Sequence, residues 1–268
     1  MLIKPYIGVT GIMTPEDYTN TAILIDSYST HQLMAGILVS SKTKNGLANK
    51  YPKQYPKIES INDLIPTGIN SLNLIHYNTD NPELLADEML EVMSYCSNDI
   101  DGFQLNACWP EITQLEKFYQ NHKQKSVIIL QIGSQALTQI HNSPNRLVEK
   151  IRKSGYLDYI HGILIDPSGG TGQLFNAEIM KNYLTKLYKA NLRINIGIAG
   201  GLHGGKCESW TDYNFLDLYF KPLAQMYPDL SIDAQGKLRD SNDNLDYEQV
   251  KMYIHDAQKI FNSLIQTK

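Results

Sequence analysis

Cysteine is scarce in this chain, and its placement excludes more than its number does. Cys96, Cys108 and Cys207 are widely spaced and odd in number among 268 residues, and no Cys-x-x-Cys pair exists. Neither a zinc ribbon nor a disulfide framework is expected. No run of about 18 apolar residues is present to span a bilayer, and the N-terminal MLIKPYIGVTG has too short an apolar stretch for a secretory signal. An excess of positive charge is also missing. The 24 Lys and Arg face 28 Asp and Glu, a net charge of −4, which gives no general attraction for nucleic acid or acidic membranes. His-x-x-x-His spacing and carboxylate clusters at metal-ligand spacing are absent, so no metal is expected. No cofactor motif, internal repeat, low-complexity tract or linker stands out. The expectation is a cytoplasmic, cofactor-free protein whose partner is a small molecule, and any phosphate binding must be local.

What is present is a rhythm. Hydrophobic residues make up 42% of the chain and charged residues 19%, enough for a large core. Eight short apolar runs recur, at Tyr6–Ile12, Leu33–Val39, Ser71–His76, Gly102–Leu105, Val127–Ile132, Ile160–Ile165, Ile194–Ala199 and Leu230–Ile232. Ile, Val and Leu dominate them, as in parallel strands covered on both faces. Segments with helical spacing follow most of them. Thr14 precedes Pro15-Glu16-Asp17 as an N-cap ahead of a helix, and Asn81-Pro82-Glu83 repeats that chemistry before Leu84–Met93. Val250, Ile254, Ala257, Phe261 and Leu264 form one stripe on a closing helix over Tyr247–Ile265. Eight strand–helix repeats predict an α/β fold, a closed (β/α)8 barrel of the TIM type spanning residues 1–268 as one domain. The connections Ser40–Pro66 and His203–Asp229 are long, and both begin at strand C-termini, the face where such barrels build their sites.

Three of those strand ends carry glycine. After the sixth strand come Asp166 and then Gly169, Gly170, Thr171 and Gly172; after the seventh, Gly200 and Gly201; after the eighth, Asp233 and Gly236. Glycines there let backbone N–H groups approach an anion with no Cβ in the way. The last βα loops are also where barrels of this kind often hold phosphate. Each glycine cluster alone also reads as a plain tight turn, and Asp166 alone as the cap of its own turn. Lys237 and Arg239 follow the eighth strand and could reach an anion; a solvated loop charge is the other reading.

These segments resemble phosphoribosylanthranilate isomerase, the tryptophan-pathway barrel enzyme. The resemblance runs through Ile7–Ile12 with Pro15-Glu16-Asp17, Gly102–Leu105, Leu164-Ile165-Asp166, Gly169–Gly172, Ala199–Leu202, Asp233–Gly236 and Asp246–Ala257, in this order. It implies an Amadori rearrangement of an N-linked phosphoribosyl aminoaldose to an aminoketose. It further implies that Asp166 is the general acid that protonates the ribose ring oxygen, and that Gly170, Thr171, Gly172, Gly200, Gly201, Asp233 and Gly236 lie about the phosphate.

The chain departs from that pattern where the family has its general base. The family's strand-one Cys-Gly pair is Thr10-Gly11 here, and an unassisted threonine hydroxyl is far too weak an acid to take over from a thiol. The family's substrate-facing arginine after strand two is also missing, because Ser40–Pro66 contains none; Lys42 or Lys44 could stand in without a bidentate fork. Ala234-Gln235 replaces a double serine. His76, His203, Cys108 and Asp233 are the replacement bases on offer, with a structural role as the alternative for each. Trp109 and Tyr77 could line the pocket or simply pack beneath a loop. Three functions follow: an isomerase-like barrel for a phosphorylated sugar or sugar-amine with an altered base, a non-catalytic barrel that binds a phosphometabolite, and an authentic phosphoribosylanthranilate isomerase with a relocated base.

Overall fold

The computed structural model describes residues 2–96, 99–122, 124–168, 175–208 and 211–264. Eight strands form in chain order: β1 (Tyr6–Thr10), β2 (Gln32–Ser40), β3 (Leu72–Asn78), β4 (Gly102–Leu105), β5 (Val127–Gly133), β6 (Gly162–Asp166), β7 (Asn195–Ile198) and β8 (Ser231–Ala234). Each pairs in parallel with the next, and β8 pairs with β1 through Ile7↔Ile232 and Gly8↔Asp233. The sheet closes on itself in sequence order. All eight apolar runs form strands, with ends displaced by a residue or two. β1 stops at Thr10 because Gly11 turns the chain away at φ +97°, a conformation that favours glycine.

Helices cover the outside: α1 (Pro15–Ala22), α2 (Leu85–Ser94), α3 (Ile112–Asn121), α4 (Pro144–Lys153), α5 (Ala177–Ala190) and α6 (Tyr247–Ser263). Thr14 caps α1 as expected, its Oγ1 accepting the Asp17 N–H at 3.0 Å while the Asp17 carboxylate accepts the Thr14 N–H at 3.0 Å. Asn81 does not repeat this. Its side chain makes no cap bond, and a 3₁₀ turn over Pro82–Leu84 leads into α2 instead. The stripe of α6 is buried at Val250, Ile254, Ala257 and Phe261, with Leu264 half-buried.

Where the sequence is punctuated by proline, no long helix forms. Between β2 and β3 stand one-turn pieces, Ser41–Lys44, Pro52–Gln54, Ile58–Ser60 and Ile61–Leu64. The residue before a proline disfavours helical backbone, and Pro52, Pro56 and Pro66 cut the segment at intervals. Ile58, Ile61 and Leu64 still bury against the strands and do the covering that a helix would. Between β7 and β8, a π-helical turn at Leu216–Phe220 precedes a short helix over Lys221–Met226. Pro222 lacks the N–H that the Leu218 carbonyl would accept, which accounts for the wide turn ahead of it.

Strand side chains alternate between two separate cores. Ile7, Val9, Ile37, Ile75, Tyr77, Phe103, Leu130, Ile163 and Ile232 face outward into the layer beneath the helices. Tyr77 packs edge-on against Phe103 in that layer, at 6.3 Å between ring centroids, so it does not line the mouth. Tyr6, Met34, Leu72, Leu74, Ile129, Leu164 and Ala199 make a second, smaller cluster with Ile3. That second cluster fills the lumen, and above it the inward positions change character.

Candidate functional site

Toward the C-terminal ends of six strands, the inward side chains are polar: Thr10 on β1, His76 on β3, Gln104 on β4, Gln131 on β5, Asp166 on β6 and Asp233 on β8. All six are buried. A buried polar group without a hydrogen bond is costly, and here they bond to one another. The Thr10 hydroxyl donates to Asp233, 2.9 Å from Oδ1 and 3.2 Å from Oδ2. The Gln104 amide nitrogen lies 3.2 Å from Asp233 Oδ2, 3.4 Å from Gln131 Oε1 and 3.4 Å from His76 Nδ1. Gln131 in turn donates to Asp166 Oδ2 at 2.9 Å. Ser168 closes the far end, with hydroxyl and backbone N–H 2.6 and 3.1 Å from Asp166 Oδ1. One chain of contacts thus joins two carboxylates across the barrel.

Glycines make room for it. A Cβ on Gly36 would collide with Thr10 Oγ1, and one on Gly8 would stand 2.8 Å from Asp233 Oδ1. A Cβ on Gly200 would lie 3.1 Å from Asp166 Oδ1 and 3.3 Å from Ser168 Oγ. Gly200 and Gly201 hold φ of +104° and +75°, so the β7 turn is built on glycine and presses against the β6 carboxylate.

Environment separates the members of this layer. Burial pushes the Asp233 carboxyl up to about 7; the neighbouring Asp166 charge adds to the rise, while the Gln104 and Thr10 hydrogen bonds oppose it. Burial pulls His76 down to about 4, against a hydrogen bond with Gln131, so its imidazole is neutral at pH 7. A carboxyl that changes protonation near neutrality, beside a second carboxylate, is an arrangement suited to proton transfer.

The other expected residues fall elsewhere. His203 stacks on Phe215 at 3.9 Å between centroids, with Nδ1 2.8 Å from the Gly204 carbonyl, within the β7–β8 connection. Cys108 is half-buried with its thiol pushed up by burial, a poor setting for a base, and all three cysteines are free. Trp109 donates to the Ala136 carbonyl at 3.0 Å and packs on Tyr156. Lys44 is committed to Glu91 at 2.7 Å, and Lys237 to Glu208 at 2.8 Å, so neither offers a free charge; Lys42 is exposed. Gly236 is exposed with open space around it. Asp233, expected near the phosphate, instead lies down in the lumen against Thr10 and, when ionised, offers an anion no donor. Gly169, Gly170, Thr171 and Gly172 lie outside the described residues.

Gln104, Gln131 and Ser168 received no role from the sequence. The signal for the two glutamines was available: each is a lone polar residue at an inward position of an otherwise apolar strand. Among the described residues, no group of three or more His, Cys, Asp or Glu is placed to hold a metal, and no helix is long and apolar enough to cross a membrane.

Solved structures share this architecture. A phosphoribosyl anthranilate isomerase in complex with reduced 1-(o-carboxyphenylamino)-1-deoxyribulose 5-phosphate superposes with a TM-score of 0.58 at 15% identity, covering 97% of this chain and all of that one. An uncharacterized protein from Clostridium thermocellum that binds two copies of 5-methyl-5,6,7,8-tetrahydrofolic acid matches at 0.51 and 13% identity, covering 96% of each chain. The carboxyl transferase domain of Rhizobium etli pyruvate carboxylase, with 3-bromopyruvate, matches at 0.52 and 10% identity, over 98% of this chain and 48% of that one. No family model and no curated protein sequence matches. The likeness is one of fold. Small ligands are bound in the isomerase and Clostridium structures.

Proposed function

We propose that the protein is an isomerase-like barrel acting on a phosphorylated sugar or sugar-amine, with Asp166 as general acid and Asp233 as general base. The observation that carries this reading is the buried pair of carboxylates joined through Gln104 and Gln131, one of them titrating near neutrality. A general base works best when its pKa lies near the working pH, and Asp233 meets that condition where Thr10 does not. Thr10 serves by orienting the Asp233 carboxylate.

In an aldose-to-ketose rearrangement, two hydrogens move within the substrate. The reactive form of the pair carries its one proton on Asp166 and leaves Asp233 ionised; Asp166 gives that proton to the ring oxygen as the ring opens, and recovers one from the C2 hydroxyl as the ketone forms. Ionised Asp233 takes the C2 hydrogen as a proton and returns it to C1. Atoms and charge balance with no external reagent. Phosphate would rest on the backbone of the β6 and β7 turns, where the Gly200–Gly201 geometry supports close approach.

The test is turnover of a panel of phosphorylated aldoses and N-linked aldosylamines. Asp166→Asn and Asp233→Asn are each expected to lower kcat/KM at least 100-fold, and Thr10→Val about 10-fold. A rate that survives both Asp substitutions would refute the assignment. Saturable binding of the same phosphosugars without turnover would favour the non-catalytic reading, and rescue of a tryptophan auxotroph would favour the authentic isomerase.

A further inference from the structure

Arg239 leaves the β8 loop and lays its guanidinium over the end of β1. Its Nη2 donates to the Gly11 carbonyl at 2.7 Å and the Thr10 carbonyl at 3.2 Å. The position is made for it: a Cβ at residue 11 would collide with Nη2, and Leu38 Cδ1 lies 3.6 Å from the same point. Leu38 faces the lumen between the strands that carry Thr10 and His76. The guanidinium therefore sits at the rim of the mouth, on the backbone of the residue whose side chain holds Asp233.

Two of its donors are unused. Nε and Nη1 are shut off from solvent and have no hydrogen-bond partner among the described residues. A guanidinium keeps its charge at neutral pH, and burying its N–H groups unpaired costs free energy unless something accepts them. The acidic residues around it, Asp17, Asp240 and Asp243, have other engagements. Asp17 accepts the Met13 and Thr14 N–H groups, Asp240 those of Asn242 and Asn244, and Asp243 the Gln54 side chain. No ion pair within 4.0 Å joins any of them to Arg239 among the described residues. Their charge acts on the cation from a distance and leaves those two donors unpaired.

We infer that Arg239 is the anchor of an oxyanion subsite at the β8–β1 rim, its guanidinium turning to present the unpaired Nε and Nη1 donors, shut off from solvent here, to a carboxylate or phosphate oxygen of a ligand bound over Thr10 and Asp233. The inference needs binding only; it stands or falls whether or not the protein turns anything over.

The test is calorimetry of the full chain with two probes at constant ionic strength, inorganic phosphate and benzoate. Saturable binding of either is expected for the wild type, and the probe that binds identifies which oxyanion the subsite takes. Arg239→Gln should weaken that binding at least tenfold. Arg239→Lys, which keeps the charge, should weaken it to a smaller extent and guards against loss through misfolding, as does matching circular dichroism of all variants. Lys237→Gln should leave affinity within twofold, since Lys237 is occupied by Glu208. Absence of saturable binding for both probes, retention of affinity in folded Arg239→Gln, or an equal loss in Lys237→Gln would each overturn the proposal. Asp166→Asn is expected to keep the Arg239-dependent binding even where turnover is lost, which separates failure of the subsite from failure of the isomerase reading.

Discussion

The lower and upper halves of the barrel lumen are built by the same eight strands, yet they differ in what they bury. Below, Tyr6, Met34, Leu72, Leu74, Ile129 and Leu164 fill the space with apolar side chains, and the polar pair there, Ser231 and Asn195, is bonded together at 3.0 Å. Above, Thr10, His76, Gln104, Gln131, Asp166 and Asp233 bury carboxylates, amides and an imidazole that satisfy one another incompletely; Gln104 Oε1 has no partner among the described residues. The lower layer gains from the hydrophobic effect and close packing. The upper layer works against stability and is held by the scaffold beneath it, as the proposed proton exchange would require.

The sharpest way to break this comparison is to cut one residue from each layer. Leu164→Ala is expected to cost about 2–5 kcal/mol by urea unfolding, the range for a buried leucine that leaves a cavity. Asp233→Asn should not destabilise at all above pH 7, because it removes a carboxylate that burial makes costly to ionise. Equal losses for the two would erase the distinction between layers.

The pH dependence sharpens it further. Asp233 is raised to about 7 in the folded chain, against an unfolded value near 3.9. The native state thus binds the extra proton between pH 4 and 7, and stability falls as pH rises through that window, by about 4 kcal/mol in total. His31 and His76, both pulled down to about 4 by burial, act in the opposite sense. The unfolded state binds their protons between pH 4 and 6.5, so stability rises with pH there, by about 3 kcal/mol for each. From these three groups the wild type should be most stable near pH 6.5. Asp233→Asn should abolish the decline above that point, and His76→Gln should flatten the rise below it, both read from urea midpoints across pH 4–8. The smallest expected effect lies outside both layers: Thr14→Ala removes the α1 cap for about 1 kcal/mol and should leave ligand binding unchanged.

How legible each half was in the sequence follows from the same difference. Strands announce themselves by contiguous Ile, Val and Leu, so all eight are legible to within a residue or two, and β4 at Gly102–Leu105 without displacement. Asp166 was legible because a strand, a carboxylate and a glycine turn succeed one another locally. The polar layer was not, since its members lie on six strands and meet only after the barrel closes; Gln104 and Gln131 each look like a stray polar residue in an apolar run. Asp233 stands close to Gly236 in the sequence, whereas strand alternation turns its side chain into the lumen toward Thr10. Arg239 looked like a loop charge equivalent to Lys237. Only the absent side chain of Gly11, 228 residues away, lets one reach the mouth while the other pairs with Glu208.

The most direct measurement is a carbon-13 NMR titration of the aspartate side-chain carboxyls in the wild type, Asp166→Asn and Asp233→Asn. The expected result is one carboxyl titrating near pH 7 that is missing in Asp233→Asn and moves downward in Asp166→Asn, where the neighbouring charge is gone. A wild type whose aspartates all titrate below pH 5 would contradict the claim that the lumen keeps a carboxylate ready to exchange protons near neutrality.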